Sequence, residues 1–338
     1  MGHPVGNQMI ELLFVMVVIL ALSFDFINGF HDSSNAIATV VLTRALSPAQ
    51  AVLLSAAFNF IGPFLFGTAV AATIGTGILA PAQVTLYIIM AALLGAIFWG
   101  LLTWYFGLPS SSSHAIVGGI FGAGVAAYGT GGIHYEGLTK IILALLISPL
   151  VGMVGGMIVM ITVLWLARKH EPDQVNGLFR HLQLASSSLI SLSHGTNDAQ
   201  KTMGVITAAL VAAGYAETFS VPLWVMIASA AAISIGTAFG GWRIIKTMGT
   251  KIVALRPVHG FSAEFSSAIT ILGASLMGAP VSTTHVVSSS LMGVGSAQGR
   301  QHVRWVVVRR ILHTWVLTIP MTALIAAATY LALTFIAS

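Results

Sequence analysis

The 338-residue chain has no cysteine, which excludes disulfides, thiolate metal sites and thiol catalysis but identifies no compartment. Charge is also scarce. Only 7% of residues are Asp, Glu, Lys or Arg, against about a quarter in a soluble domain. No stretch of soluble length interrupts the apolar sequence, which leaves no room for an extramembrane enzyme or nucleotide-binding domain. What is present is hydrophobic: 57% of residues and a mean hydropathy of +0.94, with apolar runs of membrane-spanning length from end to end. The class is an all-α polytopic membrane protein in a lipid bilayer. The net charge of +5 reads as asymmetry between loops, not as affinity for nucleic acid. Residues 1–8 contain no Lys or Arg, so the run after them is expected to be a retained span and not a cleaved signal peptide.

The first apolar run, residues 9–41, is too long for one simple span and is interrupted by polar residues, so it reads as a broken helix. Further runs cover residues 49–74, 84–106, 112–128 and 140–167. The polar segment 168–181 reads as a cytoplasmic linker, and beyond it apolar runs return at 182–211, 221–240, 261–277, 283–295 and 311–336. This pattern suggests two repeats of about five spans each, residues 1–167 and 182–338, and three matches in the same order support it. Residues 29–35 match 195–201, Gly67 with 74–78 matches Gly241 with 248–252, and Pro109-Ser110-Ser111-Ser112-Ser113-His114 matches Pro280-Val281-Ser282-Thr283-Thr284-His285.

An odd number of spans per repeat would make the second repeat enter the membrane from the opposite side. The basic residues agree with this. The loops at 70–82 and 129–139 have no Lys or Arg, whereas their counterparts carry Arg243, Lys246, Lys251 and Arg256, and Arg300, Arg304, Arg309 and Arg310. With Arg44, Arg168, Lys169 and Arg180, all of the 14 basic residues except Lys140 and Lys201 fall on one side. By the positive-inside rule that side is cytoplasmic, which places both termini outside. Inverted repeats are a common build of secondary transporters, with the site near the midplane where the repeats meet.

Asp32 and Asp198 occupy equivalent positions in the two repeats. A carboxylate at the bilayer centre costs about 2.5 to 3.5 kcal/mol even on the lenient insertion scale, so it generally has a function or a partner. They are the candidates for binding a coupling cation, with His31 beside Asp32 as a group able to carry a proton near neutral pH. The hydroxyl clusters after Pro109 and Pro280 are helix-start signals. Two helix N-termini would bring free N–H groups and Ser112, Ser113, Thr283 and Thr284 to one place, as an oxyanion requires. Asn35 and Asn197 are expected to line that site. Lys201 replaces the equivalent of Asn35; it can pair with Asp198 three residues earlier or supply positive charge to the anion. Asp25, Asn28 and Glu264 are gate or supporting candidates, and His114 and His285, like His194, are orienting groups rather than ligands. No spacing resembles a known metal-ligand motif, so neither a resident metal nor a catalytic residue is expected.

The signatures Gly29-Phe30-His31-Asp32-Ser33-Ser34-Asn35-Ala36 and Gly195-Thr196-Asn197-Asp198-Ala199, with Gly241-Trp242-Arg243 and residues 280–285, resemble the inorganic phosphate transporter (PiT) family over nearly the whole chain. The similarity is greatest to its bacterial low-affinity branch. The resemblance implies symport of inorganic phosphate, free or as a divalent metal–phosphate complex, with H+ or Na+ as the co-transported cation and no cofactor. Its site would be built from the two signature helices and two hydroxyl-rich half-helices. The implied location is a bacterial-type plasma membrane, and a homodimer is left open. His31 in place of the first signature's Asn, and Gln200-Lys201 at the end of the second, depart from the Na+-coupled pattern. The alternatives are a sulfate permease of the same fold, an intramembrane protease and a passive anion channel. The protease lacks any Gly-x-Ser-x-Gly and has no reason to duplicate every polar element.

Overall fold

A computed structural model describes residues 4–241, 244, 245, 247 and 252–337. The expected features at Trp242, Arg243, Lys246 and 248–251 lie outside the described residues. Helix α1 (Pro4–Leu42) is one continuous α-helix. The broken helix expected for residues 9–41 does not occur there. Polarity alone does not break a helix: its backbone bonds remain internal, as a bilayer demands, and the polar side chains are instead buried, every residue from 31 to 40 included. At about 1.5 Å per residue its 39 residues exceed the roughly 30 Å hydrocarbon thickness.

The second run contains the break. Helix α2 (Pro48–Ile61) starts at a Ser47–Gln50 capping box and ends at Gly62-Pro63, and α3 (Ala69–Thr76) follows at a bend of 78°. Then come α4 (Leu86–Tyr105), α5 (Ser112–Tyr128) and α6 (Tyr135–Ala167). The linker is shorter than 168–181, because Pro172 at the first turn starts α7 (Pro172–Ala212). A proline there gives up only an N–H that the helix leaves unpaired. The chain continues through α8 (Leu223–Phe239), α9 (Pro257–Leu276), α10 (Thr283–Ala297) and α11 (Trp305–Ala337). By length and apolarity alone, five described helices could cross a membrane, or six if α2 and α3 form one span. The remaining helices are shorter or more polar and owe their place to burial by neighbours.

Contacts between elements come in reciprocal pairs. Helix α5 packs on α11 as α10 packs on α6, α1 on α8 as α7 on α2, and α1 on α4 as α7 on α9. A Cβ on Gly122 would lie 2.1 Å from the Ala323 carbonyl oxygen, and one on Gly293 1.9 Å from that of Met153. Isolated bridges join Leu79 to Ile133 and Val253 to Val303. Two separate apolar cores form. One gathers Val17, Leu93 and Val205, the other Ile37, Val163 and Val286. The polar stretches of α1 and α7 cross between them.

Candidate functional site: a buried double-aspartate centre

Spacings of three and four residues put Asn28, His31, Asp32 and Asn35 on one region of α1, and His194, Asn197, Asp198 and Lys201 on one region of α7. All eight are buried. His31 Nδ1 donates to Asp32 Oδ1 over 2.9 Å, and its Nε2 lies 3.3 Å from Thr103 Oγ1. His194 Nε2 sits between the two carboxylates, 3.1 Å from Asp198 Oδ2 and 3.8 Å from Asp32 Oδ2. Asn28 donates to Asp198 Oδ2 over 3.3 Å. The ammonium of Lys201 is 2.9 Å from Asp198 Oδ1 and donates to Ser112 and Ser113 over 2.8 and 3.0 Å. Lys201 therefore makes the ion pair that its spacing allows, and its ammonium also reaches the hydroxyls of Ser112 and Ser113.

The hydroxyl clusters start helices as expected, with Ser111 and Ser282 as N-caps that accept from the backbone N–H of His114 and His285. The two starts face one another, with the rings of His114 and His285 4.5 Å apart and His285 stacked on Trp315 at 3.8 Å. Thr283 Oγ1 lies within hydrogen-bond distance of both carboxylates, 3.4 Å from Asp32 and 3.1 Å from Asp198. Thr284 donates to Asp32 over 3.0 Å and accepts from Asn35 over 3.2 Å. Two half-helices that begin at one point bring free N–H groups and positive dipole ends to it. Two buried carboxylates in the same place call for cations. Such a centre can hold an oxyanion and a cation side by side.

The comparisons with known proteins agree with this chemistry. A model of the phosphate transporter family matches residues 28–326. The chain belongs to that family. The probable low-affinity inorganic phosphate transporter of Rhizobium meliloti (strain 1021) is 49% identical, the match covering 96% of this chain and 98% of that protein. The protein of the same description from Bacillus subtilis (strain 168) is 47% identical over the same shares. A solved structure described as the sodium-dependent phosphate transporter superposes with a TM-score of 0.87 at 28% identity, over 96% of this chain and 99% of that one. The family is one of transporters and not of enzymes, which removes the protease alternative.

In this phosphate transporter family member the expected residues do not all meet. Asp32, Asp198, His31, Asn28, Lys201, Asn35, Ser112, Ser113, Thr283 and Thr284 form one connected network. Asn197 is outside this network: its Nδ2 donates to Ser275 Oγ over 2.8 Å and its Oδ1 is buried without a hydrogen-bond partner. Ser113 donates its hydroxyl hydrogen to the Val281 carbonyl, which leaves Ser112 as the freer donor of the pair. His114 and His285 stand behind the hydroxyls. Asp25 is fully buried beside Thr202, and Glu264 occupies a separate cluster. Nothing in the residue spacing pointed to a metal-ligand set, yet Asp32, His194 and Asp198 offer ligand atoms within 4.8 Å of one another. Tertiary contact creates that set: Asp32 comes from another helix, and only the four-residue step from His194 to Asp198 is visible along the chain. Asn59, which aligns the His194 ring through Nδ1 at 3.2 Å, carries no signal in sequence. Nor does Gln200, whose carbonyl oxygen accepts from Val70 N and Ala71 N at the start of α3.

Proposed function

We propose that the protein is a secondary active symporter that imports inorganic phosphate, free or as a divalent metal–phosphate complex, with H+ or Na+. The observation that carries this reading is the meeting of Asp32 and Asp198, from α1 and α7, at the facing starts of α5 and α10. In this scheme Ser112, Thr283, Thr284 and the first N–H groups of α5 and α10 hold the tetrahedral anion, with Ser113, Asn35 and Asn197 lining the site. Asp32 and Asp198 bind the coupling cation. Lys201 contributes positive charge toward the anion through the hydroxyls it touches. An unprotonated carboxylate near the anion favours phosphate over sulfate, because phosphate near neutral pH has an O–H to donate and sulfate has none.

Two sets of observations favour different cations. The proton is supported by Lys201 and His194, whose nitrogens already occupy Asp198 at 2.9 and 3.1 Å. Sodium is supported by the buried, unpaired carboxamide oxygens of Asn28, Asn35 and Asn197 and by the likeness in fold to a sodium-dependent phosphate transporter. The reciprocal contacts support two inverted repeats, 1–167 and 182–338, that rock about this centre to expose it alternately. On this reading the chain is a multi-pass bacterial-type plasma-membrane protein with both termini outside. The test is uptake of labelled phosphate into proteoliposomes under imposed H+ or Na+ gradients, with sulfate as competitor. Phosphate is expected to accumulate above the outside concentration under one of the gradients, and sulfate is not expected to compete. Normal transport by Asp32→Asn or Asp198→Asn variants would overturn the scheme.

A further inference from the structure

One buried carboxylate takes no part in the double-aspartate network. Asp25 on α1 is 0% exposed, and neither of its oxygens has a hydrogen-bond partner among the described residues. No ion pair reaches it among them either. On α7 the charged groups around it are Lys201, Asp198 and His194, and the unpaired hydroxyl of Thr202 stands beside it. An ammonium has three hydrogens to donate, and those of Lys201 go to Asp198 Oδ1, Ser112 and Ser113. His194 turns Nδ1 to Asn59 and Nε2 to the other two carboxylates. On α1 itself Glu11 is exposed and His31 is bonded to Asp32. Helices α2 and α8 carry no ionisable side chain, and α4 carries only Tyr87 and Tyr105 near its ends. His285 of α10 stacks on Trp315. On α9, His259 bonds Ala254 O, and Glu264 is bound by Thr39, about 21 Å further along α1 at 1.5 Å per residue.

The position of Asp25 is informative. Asp25, Asn28, Asp32 and Asn35 follow at steps of three and four and form one polar stripe on α1. Asp25 ends that stripe. The next residues on it are Ala21 and Val17, which join Val205 and Ile206 of α7 in an apolar core. Asp25 is also about 10 Å from Asp32 along the helix, toward the end away from Arg44, which the positive-inside rule makes the outer side. The fold does not need an acid here. The step from Asp32 to Asp198 carries Asp25 onto Ser191, which donates to the Ser187 carbonyl over 2.7 Å and lies 3.1 Å from Ser55 Oγ. One half of the molecule fills this position with a paired hydroxyl, the other with an unpaired carboxyl group.

We propose that Asp25 is an outer proton-binding site whose protonation is required before the outer side closes, so that one proton enters with each phosphate. This rests on the symport reading and concerns the step at which a cation is taken up. Open to outside water, an ionised Asp25 is hydrated. Sealing the apolar core over it strands a charge that no donor can reach, because the hydrogens of Lys201 are taken, and a buried unpaired charge is far costlier than a neutral group. A proton from the outer water removes that charge, and α1 closes on α7. When the centre opens inward, water reaches the carboxyl group past Asn28, one turn away and itself left with an unpaired oxygen, and the proton leaves to the inner side. Ionisable groups within the membrane commonly mark such paths.

The absence of native cysteine allows a direct test. Ala21 is 0% exposed and lies one turn outward of Asp25. In an Ala21→Cys background, a small impermeant methanethiosulfonate is applied from the side of the loops without Lys or Arg, and rates are corrected for the thiolate fraction. The rate is expected to be at least threefold higher at pH 8 than at pH 6. After Asp25→Asn it is expected to stay at the pH 6 level at both pH values, and after Asp25→Glu to keep its pH dependence. In proteoliposomes, proton entry per labelled phosphate is expected to fall by one in Asp25→Asn and to be kept in Asp25→Glu. A flat rate without the Asp25 substitution, a pH dependence that survives Asp25→Asn, or an unchanged proton-to-phosphate ratio in that variant would each overturn the proposal. The labelling needs no phosphate, so failure of the proposal and failure of the symport reading are told apart.

Discussion

Lys201 shows how one residue ties the centre together. It is fully buried, and its ammonium is the cation closest to Asp198 Oδ1 among the described residues. Removing one partner of a buried ion pair strands a charge, at about 3 to 5 kcal/mol. Lys201→Met is therefore expected to lower the unfolding temperature sharply in detergent and to abolish uptake. The double variant Lys201→Met/Asp198→Asn is expected to regain at least half of the lost stability, with uptake still absent. A double variant no more stable than the single one would show that the pair is not the reason for the loss. That Asp32 and Asp198 would meet was legible because each repeats the other in sequence. His194 was less legible, since its place between two carboxylates depends on α1 lying against α7, a contact with no local cue.

At the level of helices, two contrasts between local preference and packing can be measured. Alanine normally favours a helix over glycine by about 0.8 to 1.0 kcal/mol, but a Cβ on Gly293 would sit 1.9 Å from the Met153 carbonyl oxygen. Overpacking of this sort costs about 1 to 3 kcal/mol, so Gly293→Ala is expected to be destabilising, measured as a lower melting temperature. Gly131→Ala, with nothing within 4 Å of its Cβ, is expected to leave it unchanged. Gln200 caps α3 from a distant helix through Val70 N and Ala71 N. A lost N-cap costs about 0.5 to 2 kcal/mol, so Gln200→Ala is expected to speed amide exchange in the first turn of α3 without changing it in α5. The helix starts at Ser112 and Thr283 were readable because proline and a capping hydroxyl act locally. The break expected in α1 is absent because the polar residues there record what the helix faces, not where its backbone turns.

For the whole molecule, the testable matter is orientation. If the loops without Lys or Arg are outside and the basic loops inside, a cysteine at the exposed Gly131 is labelled by an impermeant reagent on intact cells. One at the exposed Gln301 is labelled only after the membrane is opened. Labelling of both from one side would refute the inverted arrangement. The sequence by itself determined the membrane class, the helix starts, the duplication and the pair of aspartates, because hydropathy, capping and internal repetition act along the chain. Only the tertiary structure decided that α1 runs unbroken and that Lys201 spans a carboxylate and two serine hydroxyls. Those outcomes depend on which helices cross, and the burial that fixes the crossings comes from residues far apart in sequence.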